Sequence, residues 1–469
     1  MTHTDAAGLA PAPAQSPSVS TAEAKQRRRS WIVFASGLEA FNVPIVYVLF
    51  APYLTSRVAE NGVLGQQLWA YALALSGLVA ALLAPPLAYV AEHPGRRRAL
   101  MIVMLALNAL PAFVFWIAAP GSPMAVILVV LTAYGIAAAA NDLLYVFYGA
   151  MLPEVAPPSM IGRTSGLGTA VGWVISIAAT AVFLALFVLP ATPMFGLDAE
   201  AGEPARLSGP FAGVLMIVLC APLLLQKPGA APARTHRPFR EQIKEEVASL
   251  LTERAAALAV GARLVYWSGV VLVMVFGNVV ATSVLDWPEL GASVFGLIVL
   301  LMGAVGAFTG GMLDDRLGTR NALSLMLIGL AVSLTLILTI APDRIFGLIP
   351  VTPRGPDDAL FSSVAEQTTL VLGAFTGFFL GATGPMSRSL IARYAPPGRT
   401  GRYYGLAALA GNATNVAGPL FVGIVTTLSG SQRAGLLVAP VFLLAGVAVL
   451  RLLPKHGYRT IDVDDEAAS

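Results

Sequence analysis

The chain has 469 residues, of which 57% are hydrophobic and 12% charged, with a mean hydropathy of +0.75 and a net charge of +3. A soluble domain carries roughly a quarter charged residues, so most of this chain faces lipid or other apolar helices. The single cysteine, Cys220, excludes an internal disulfide framework and a cysteine metal cage.

The N-terminal tail, 1–30, is rich in Ala, Pro, Ser and Thr and ends in KQRRRS. It is too long and polar for a secretory signal, whose apolar core follows soon after a basic start. It reads as a disordered cytoplasmic tail. Twelve apolar runs follow, at 31–54, 67–91, 99–119, 124–149, 164–190, 209–226, 257–282, 290–313, 322–341, 366–389, 404–427 and 434–453. Crossing a ~30 Å hydrocarbon core takes about 20 residues of helix. The runs are continuous, unlike the alternating segments of about ten residues in a membrane barrel.

Span 1 carries Glu39 about 8 residues in, roughly 12 Å deep at 1.5 Å per residue. A charge at the bilayer centre costs about 2.5–3.5 kcal/mol on insertion scales. Glu39 is therefore a candidate proton carrier or ligand for a cationic group, set against a structural pairing with Arg263 or the backbone. Asn42 shares its face at i+3, and Pro44 loosens the helix there. Span 4 holds Asn141, Asp142 and Tyr145, with Tyr148 beyond. Asp142 is a candidate second coupling acid or gate partner; the competing role is a salt bridge to Arg163 or a nearby loop arginine.

Between spans 6 and 7, 227–256 opens with KPGAAPARTHRP, a linker composition. Phe239, Ile243, Val247, Leu250 and Leu251 then recur at helical spacing. This predicts an amphipathic surface helix joining two halves. Span 7 carries Arg263 near its start, which either snorkels to the surface or meets Glu39 or a substrate carboxylate. Tyr266, Trp267 and Asn278 are further pocket candidates. In span 11, Asn412 and Asn415 share one face. Amides facing a cavity suit a hydroxylated or zwitterionic solute, and helix–helix hydrogen bonding is the competing role.

Of the 29 Lys and Arg, 23 fall in the N-tail, near 92–98, 150–163, 227–256, 314–321 and 388–403, and at the C-terminal end. The opposite side holds five: Arg57, Arg206, Arg344, Arg354 and Arg433. This asymmetry places both termini in the cytoplasm. The organisation is then a tail, a six-helix half (31–226), a linker, a second six-helix half (257–453) and a tail (454–469).

Two short stretches occur twice. APPSMIGRTSGLG (Ala156–Gly168) answers APPGRTGRYYGLA (Ala395–Ala407), with Gly162, Arg163 and Gly166 matching Gly401, Arg402 and Gly405. AEHPGRRRAL (Ala91–Leu100) answers DDRLGTRNAL (Asp314–Leu323), with Glu92, Gly95 and Arg97 matching Asp315, Gly318 and Arg320. Pro-Pro stops a helix, Gly permits close helix contact, and Arg pairs with carboxylates or helix C-terminal carbonyls. Parallel six-helix repeats imply an axis along the membrane normal and a site between the halves. Gly311 and Arg316 complete a cytoplasmic gate set with Glu92, Gly95, Arg97, Arg163, Asp315, Gly318, Arg320 and Arg402. Asp315 is placed to bond a helix N-terminus or Arg320.

GGMLDDRLGTR resembles the major facilitator loop signature G-x-L-x-D-R-x-G-x-R, while the first-half copy has Glu92 for Asp, His93 for Arg and Ala88 for the first glycine. Phe147–Trp173 and Ser387–Ile424 resemble the vacuole-effluxer-like branch, related to the yeast vacuolar amino-acid effluxer, with many bacterial members. Three positions depart from that branch. Its early span 1 acid is replaced by ASGLEAF, with Glu39 about one turn later. Its Y-N-D-G in span 7 is YWSG, and its span 11 lysine is Asn412.

The expected molecule is an all-α membrane protein with 12 transmembrane helices in two pseudo-symmetric halves. It is a secondary active transporter, moving a small polar solute by alternating access in the bacterial inner membrane. The resemblance implies an amino acid or similar metabolite moved outward. Expected partners are the solute, protons and the bilayer; the protein is monomeric, binds no nucleic acid and needs no cofactor or metal. No Walker A loop occurs, so ATP hydrolysis is not the driver. No span contains histidine and no G-x-S-x-G occurs, so it is not an enzyme. The alternative is a non-transporting assembly or delivery factor on a transporter scaffold. That alternative expects both acids locked in loop salt bridges, with no cavity.

Overall fold

A chain in hydrocarbon must satisfy every backbone N–H and C=O within itself, and the long apolar runs do so as helices. The computed structural model describes residues 21–60, 62–91, 95–190, 193–226, 253–279, 287, 289–355, 358–396, 399–454 and 457. Twelve long helices run in chain order. The first half contains α1 (Thr21–Phe41), α2 (Gly62–Ala91), α3 (Arg96–Ala109), α4 (Met124–Ala150), α5 (Ile161–Phe183) and α6 (Glu203–Leu224). The second contains α7 (Arg254–Val279), α8 (Glu289–Leu317), α9 (Thr319–Leu338), α10 (Val364–Tyr394), α11 (Thr400–Ser429) and α12 (Val438–Arg451). Among the described residues, eleven spans are long and apolar enough to cross a membrane. In α11 the apolar end Leu420–Ser429 is the part picked out among described residues.

Two boundaries differ from the sequence expectation. Helix α1 begins at Thr21, so Lys25–Arg29 is helical rather than tail. Its AEAKQRRR sequence is made of strong helix formers. Helix α10 runs to Tyr394, past the predicted end at 389, because no turn former interrupts SRSLIARY before Pro396. Arg388, expected in a loop, therefore lies inside the span. The tail before Thr21, the linker 227–252 and the C-terminal end beyond Gly457 lie outside the described residues.

Pro44 has the expected effect on α1. The helix widens into a π-type turn over Asn42–Val48, where the Leu49 N–H donates to the Pro44 carbonyl at 2.9 Å. Outside the helices, a short hairpin pairs β1 (Arg344–Ile345) with β2 (Ile349–Pro350).

The end of the bundle bearing the repeated loops is called the basic end below. Two seams join the halves: α5 lies against α8, and α11 against α2 and α4. The duplicated glycines sit on both. A Cβ at Gly166 would lie 2.9 Å from Gly311 Cα, and one at Gly311 would lie 2.5 Å from the Gly162 carbonyl oxygen. Across the other seam, a Cβ at Gly405 would meet Ala88 Cβ at an ordinary 3.6 Å. Ala88 is the repeat partner of Gly311, so the degraded signature copy corresponds to the looser seam. Gly95 and Gly318, the repeated loop glycines, take φ of 75° and 74°. At Gly95, which is left-handed, an L side chain would cost about 1–2 kcal/mol; Gly318, with ψ 144°, is in a region essentially reserved for glycine.

Candidate functional site

The site starts with Glu39 on α1, just before the widened turn. Tyr145 of α4 donates its hydroxyl to Glu39 Oε1 at 2.6 Å. Asn42 Nδ2 donates to the Tyr145 hydroxyl at 3.4 Å, and Asn141 Nδ2 donates to Asn42 Oδ1 at 3.3 Å. Asn42 and the Trp173 indole of α5 also lie near the carboxylate. Gly172 lets α5 come this near: a Cβ there would lie 3.3 Å from Glu39 Cγ. Four predicted residues thus form one network, to which Trp173 is an addition. Its ring fits against Gly303 of α8, so the network reaches the second half.

Asp142 makes no salt bridge among the described residues, and the proposed partner Arg163 instead faces Asp315 at 3.9 Å. Asp142 is exposed. It lies seven residues before Gly149, hence on the same helix face. Gly149 packs against Tyr404 of α11, where a Cβ would meet the ring at 2.7 Å. Asp142 therefore looks toward the other half, just above their contact. Glu39 and Asp142 both lie within electrostatic reach of Tyr47, itself 59% exposed. The exposure of Asp142 and Tyr47 leaves accessible space beside them, called the gap below.

Arg263 does not pair with Glu39. Its guanidinium sits over the Trp267 ring, 4.9 Å from the centroid, and its Nε is buried without a hydrogen-bond partner. Trp267 is thus a platform for Arg263. Tyr266 is fully buried and its hydroxyl lies 2.5 Å from Ser387 Oγ, bracing α7 against α10. Asn278 lies in α7 and Asn412 and Asn415 in α11, but their side chains are outside the described set.

The residue that sequence reasoning missed is Arg388. Its Nε donates to Ser165 Oγ at 3.2 Å, and its Nη2 to the Ser165 carbonyl at 3.4 Å and to Thr169 Oγ1. It also stacks over the Tyr148 ring at 5.7 Å. Arg388 thus links α10 to α5 and α4 across the gap. The signal was present: SRSLIARY has no breaker before APP, so its arginines continue the helix.

At the basic end, Asp315 accepts hydrogen bonds from the Gly162 and Arg163 backbone N–H groups, each at 2.8 Å. These are free donors at the start of α5, where a helix favours negative charge. Arg393 of α10 holds the same carboxylate at 2.7 Å. Arg320, the other expected partner, instead donates to the Leu453 carbonyl at 2.8 Å. Arg97 forms a bidentate pair with Glu154 at 2.6 Å, within one half, so it braces loops and does not bridge the halves. Arg316 and Gly318 line a 500 Å³ pocket beside Asp315. Arg402 lies in the first turn of α11 and is half-buried; Glu92 is outside the described residues.

The family model for vacuole effluxer Atg22-like proteins matches residues 66–459. An uncharacterized major-facilitator-type transporter, YxiO, of Bacillus subtilis is 20% identical over 458 residues, covering 92% of this chain and 95% of that protein. Autophagy-related protein 22 of Cryptococcus neoformans is 23% identical over 313 residues, covering 63% of this chain and 51% of its own length. Among solved structures, the proton:xylose symporter XylE superposes with TM-score 0.70 at 11% identity, over 93% of this chain and 97% of its own. The Escherichia coli fucose:proton symporter FucP gives 0.66 at 14% identity, over 92% and 99%. The fold is that of the major facilitator superfamily.

Proposed function

The chain belongs to the vacuole effluxer Atg22-like family, and from that premise we propose that it is a secondary active transporter coupled to protons through Glu39. The solute is small and polar, an amino acid or similar metabolite, and it moves outward across the bacterial inner membrane. Both termini lie in the cytoplasm, so the basic end is the cytoplasmic one and Asp315 belongs to its gate.

One observation carries the reading. Glu39 is an intramembrane carboxylate held by the Tyr145 hydroxyl within a network of Asn42 and Asn141, with no ion-pair partner among the described residues. A carboxylate held by a neutral donor, with Arg388 within electrostatic reach but not ion-paired to it, can exchange a proton for a solute group. The delivery-factor alternative expected Glu39 and Asp142 locked in loop salt bridges, and neither acid forms one among the described residues.

The test uses full-length protein in proteoliposomes with an imposed pH gradient and labelled amino acids, sugars and organic acids. Wild type accumulates one class, and Glu39→Gln abolishes the gradient-driven part. Accumulation and pH dependence unchanged in Glu39→Gln would remove Glu39 from the coupling role.

A further inference from the structure

We infer that Arg263 and Arg388 form an oxyanion-binding arm on the α7–α12 half, which takes a carboxylate of the solute while Glu39 and Asp142 face its cationic end. This deepens the transport reading above and rests on it.

The charges are segregated by half. Inside the helices, between the basic-end gate and the opposite loops, the described residues of the first half contribute two carboxylates, Glu39 and Asp142, and those of the second two guanidiniums, Arg263 and Arg388. None of the four forms an ion pair among the described residues. Unpaired ionisable groups at this depth are expensive and mark solute or ion paths. Had they only to be neutralised, the cheapest arrangement would be direct pairing across the gap. A zwitterion lying between the halves completes both sides at once.

The two guanidiniums lie within electrostatic reach of each other, and Arg388 within reach of Glu39. Both are presented the same way. The Arg263 guanidinium lies over the Trp267 ring and that of Arg388 over the Tyr148 ring. A guanidinium fork matches a carboxylate in a bidentate geometry; Arg263 keeps that fork, and Arg388 adds its Nη1. A guanidinium has five N–H donors. Arg263 has no hydrogen bond among the described residues, and its Nε is buried. Arg388 spends Nε and Nη2 on Ser165 and Thr169, and its Nη1 has no acceptor among the described residues. The Tyr266–Ser387 contact ties α7 to α10 beside Arg388, so the two arginines are held as one unit. A purely cationic solute would face two like charges there, and a neutral sugar would leave them uncompensated.

The test measures thermal stabilisation of purified full-length protein by three probe mixtures at equal concentration and pH: the common L-amino acids, short monocarboxylates, and short primary amines. The first two stabilise wild type; amines alone do not. Arg263→Gln and Arg388→Gln, scored only on preparations with a cooperative melt, need roughly tenfold or more carboxylate for the same shift. Arg263→Lys and Arg388→Lys keep a reduced response, because they retain charge but lose the fork. Should Arg388→Gln fail to fold, Arg263→Gln decides alone. Amines matching amino acids, no response to either carboxylate mixture, or a full response surviving the Gln substitutions would each overturn the arm. Wild type that binds carboxylates yet moves none into proteoliposomes would refute transport and leave the arm. Wild type that accumulates sugars or amines and ignores carboxylates would refute the arm and leave transport.

Discussion

Tyr145 shows how a single hydroxyl can matter at the residue scale. Its 2.6 Å bond is the shortest contact to Glu39, and a hydrogen bond to a charged group is worth about 1.5–3 kcal/mol. Tyr145→Phe should slow gradient-driven transport at least several-fold in proteoliposomes while the melting temperature moves little. An unchanged rate would reduce Tyr145 to packing. Asp315 invites a sharper measurement. Its side chain is 4% exposed, held by two α5 N–H groups and Arg393. Asp315→Asn weakens all three bonds. The single native cysteine, Cys220, is fully buried, so an added thiol reports cleanly. Ser165, fully buried in the α5 seam with its hydroxyl on the Pro385 carbonyl of α10, is the natural place for it. In the Ser165→Cys background, Asp315→Asn should raise thiol labelling about tenfold, the shift expected from losing one charge-assisted bond. No increase would show that Asp315 does not hold the seam.

At the scale of elements, the two seams make opposite predictions for the same repeat position. A Cβ at Gly166 would press on Gly311 Cα at 2.9 Å, backbone that cannot swing away. Gly166→Ala should therefore cost about 1–3 kcal/mol, the usual range for overpacking. At its repeat partner Gly405, the nearest atom is Ala88 Cβ at 3.6 Å, and Gly405→Ala should be close to neutral. Thermal melting of the two variants decides it; equal costs would mean the seams are equally tight. The sequence showed the glycines as a pair but could not show which seam was the close one. The boundaries of α1 and α10 were misjudged for a related reason. Hydropathy falls where arginines enter, but helix propensity does not, so a helix outruns its apolar part.

For the whole molecule, the hydrogen bonds joining the halves at the basic end gather in the first turns of α5, from Gly162 to Thr169. Above them Asp142 and Tyr47 are exposed. Rocking of the halves has to break the α5 contacts. Once a transported solute is identified, its addition should change the labelling rate of Ser165→Cys in the otherwise native chain, and a rate indifferent to solute would speak against alternating access.

Twelve spans, their duplication and the acids of α1 and α4 were legible because hydrocarbon imposes length, and because charges inside apolar runs stand out. Repeats separated by a constant offset announce symmetry without any coordinates. The partners were not legible. Glu39 could face Arg263 or a tyrosine, Asp315 could face Arg320 or a helix start, and Arg388 looked like a loop residue. Those choices depend on how helices rotate about their axes and how closely two glycines let them approach. Both are settled by packing between segments hundreds of residues apart, which no local pattern encodes.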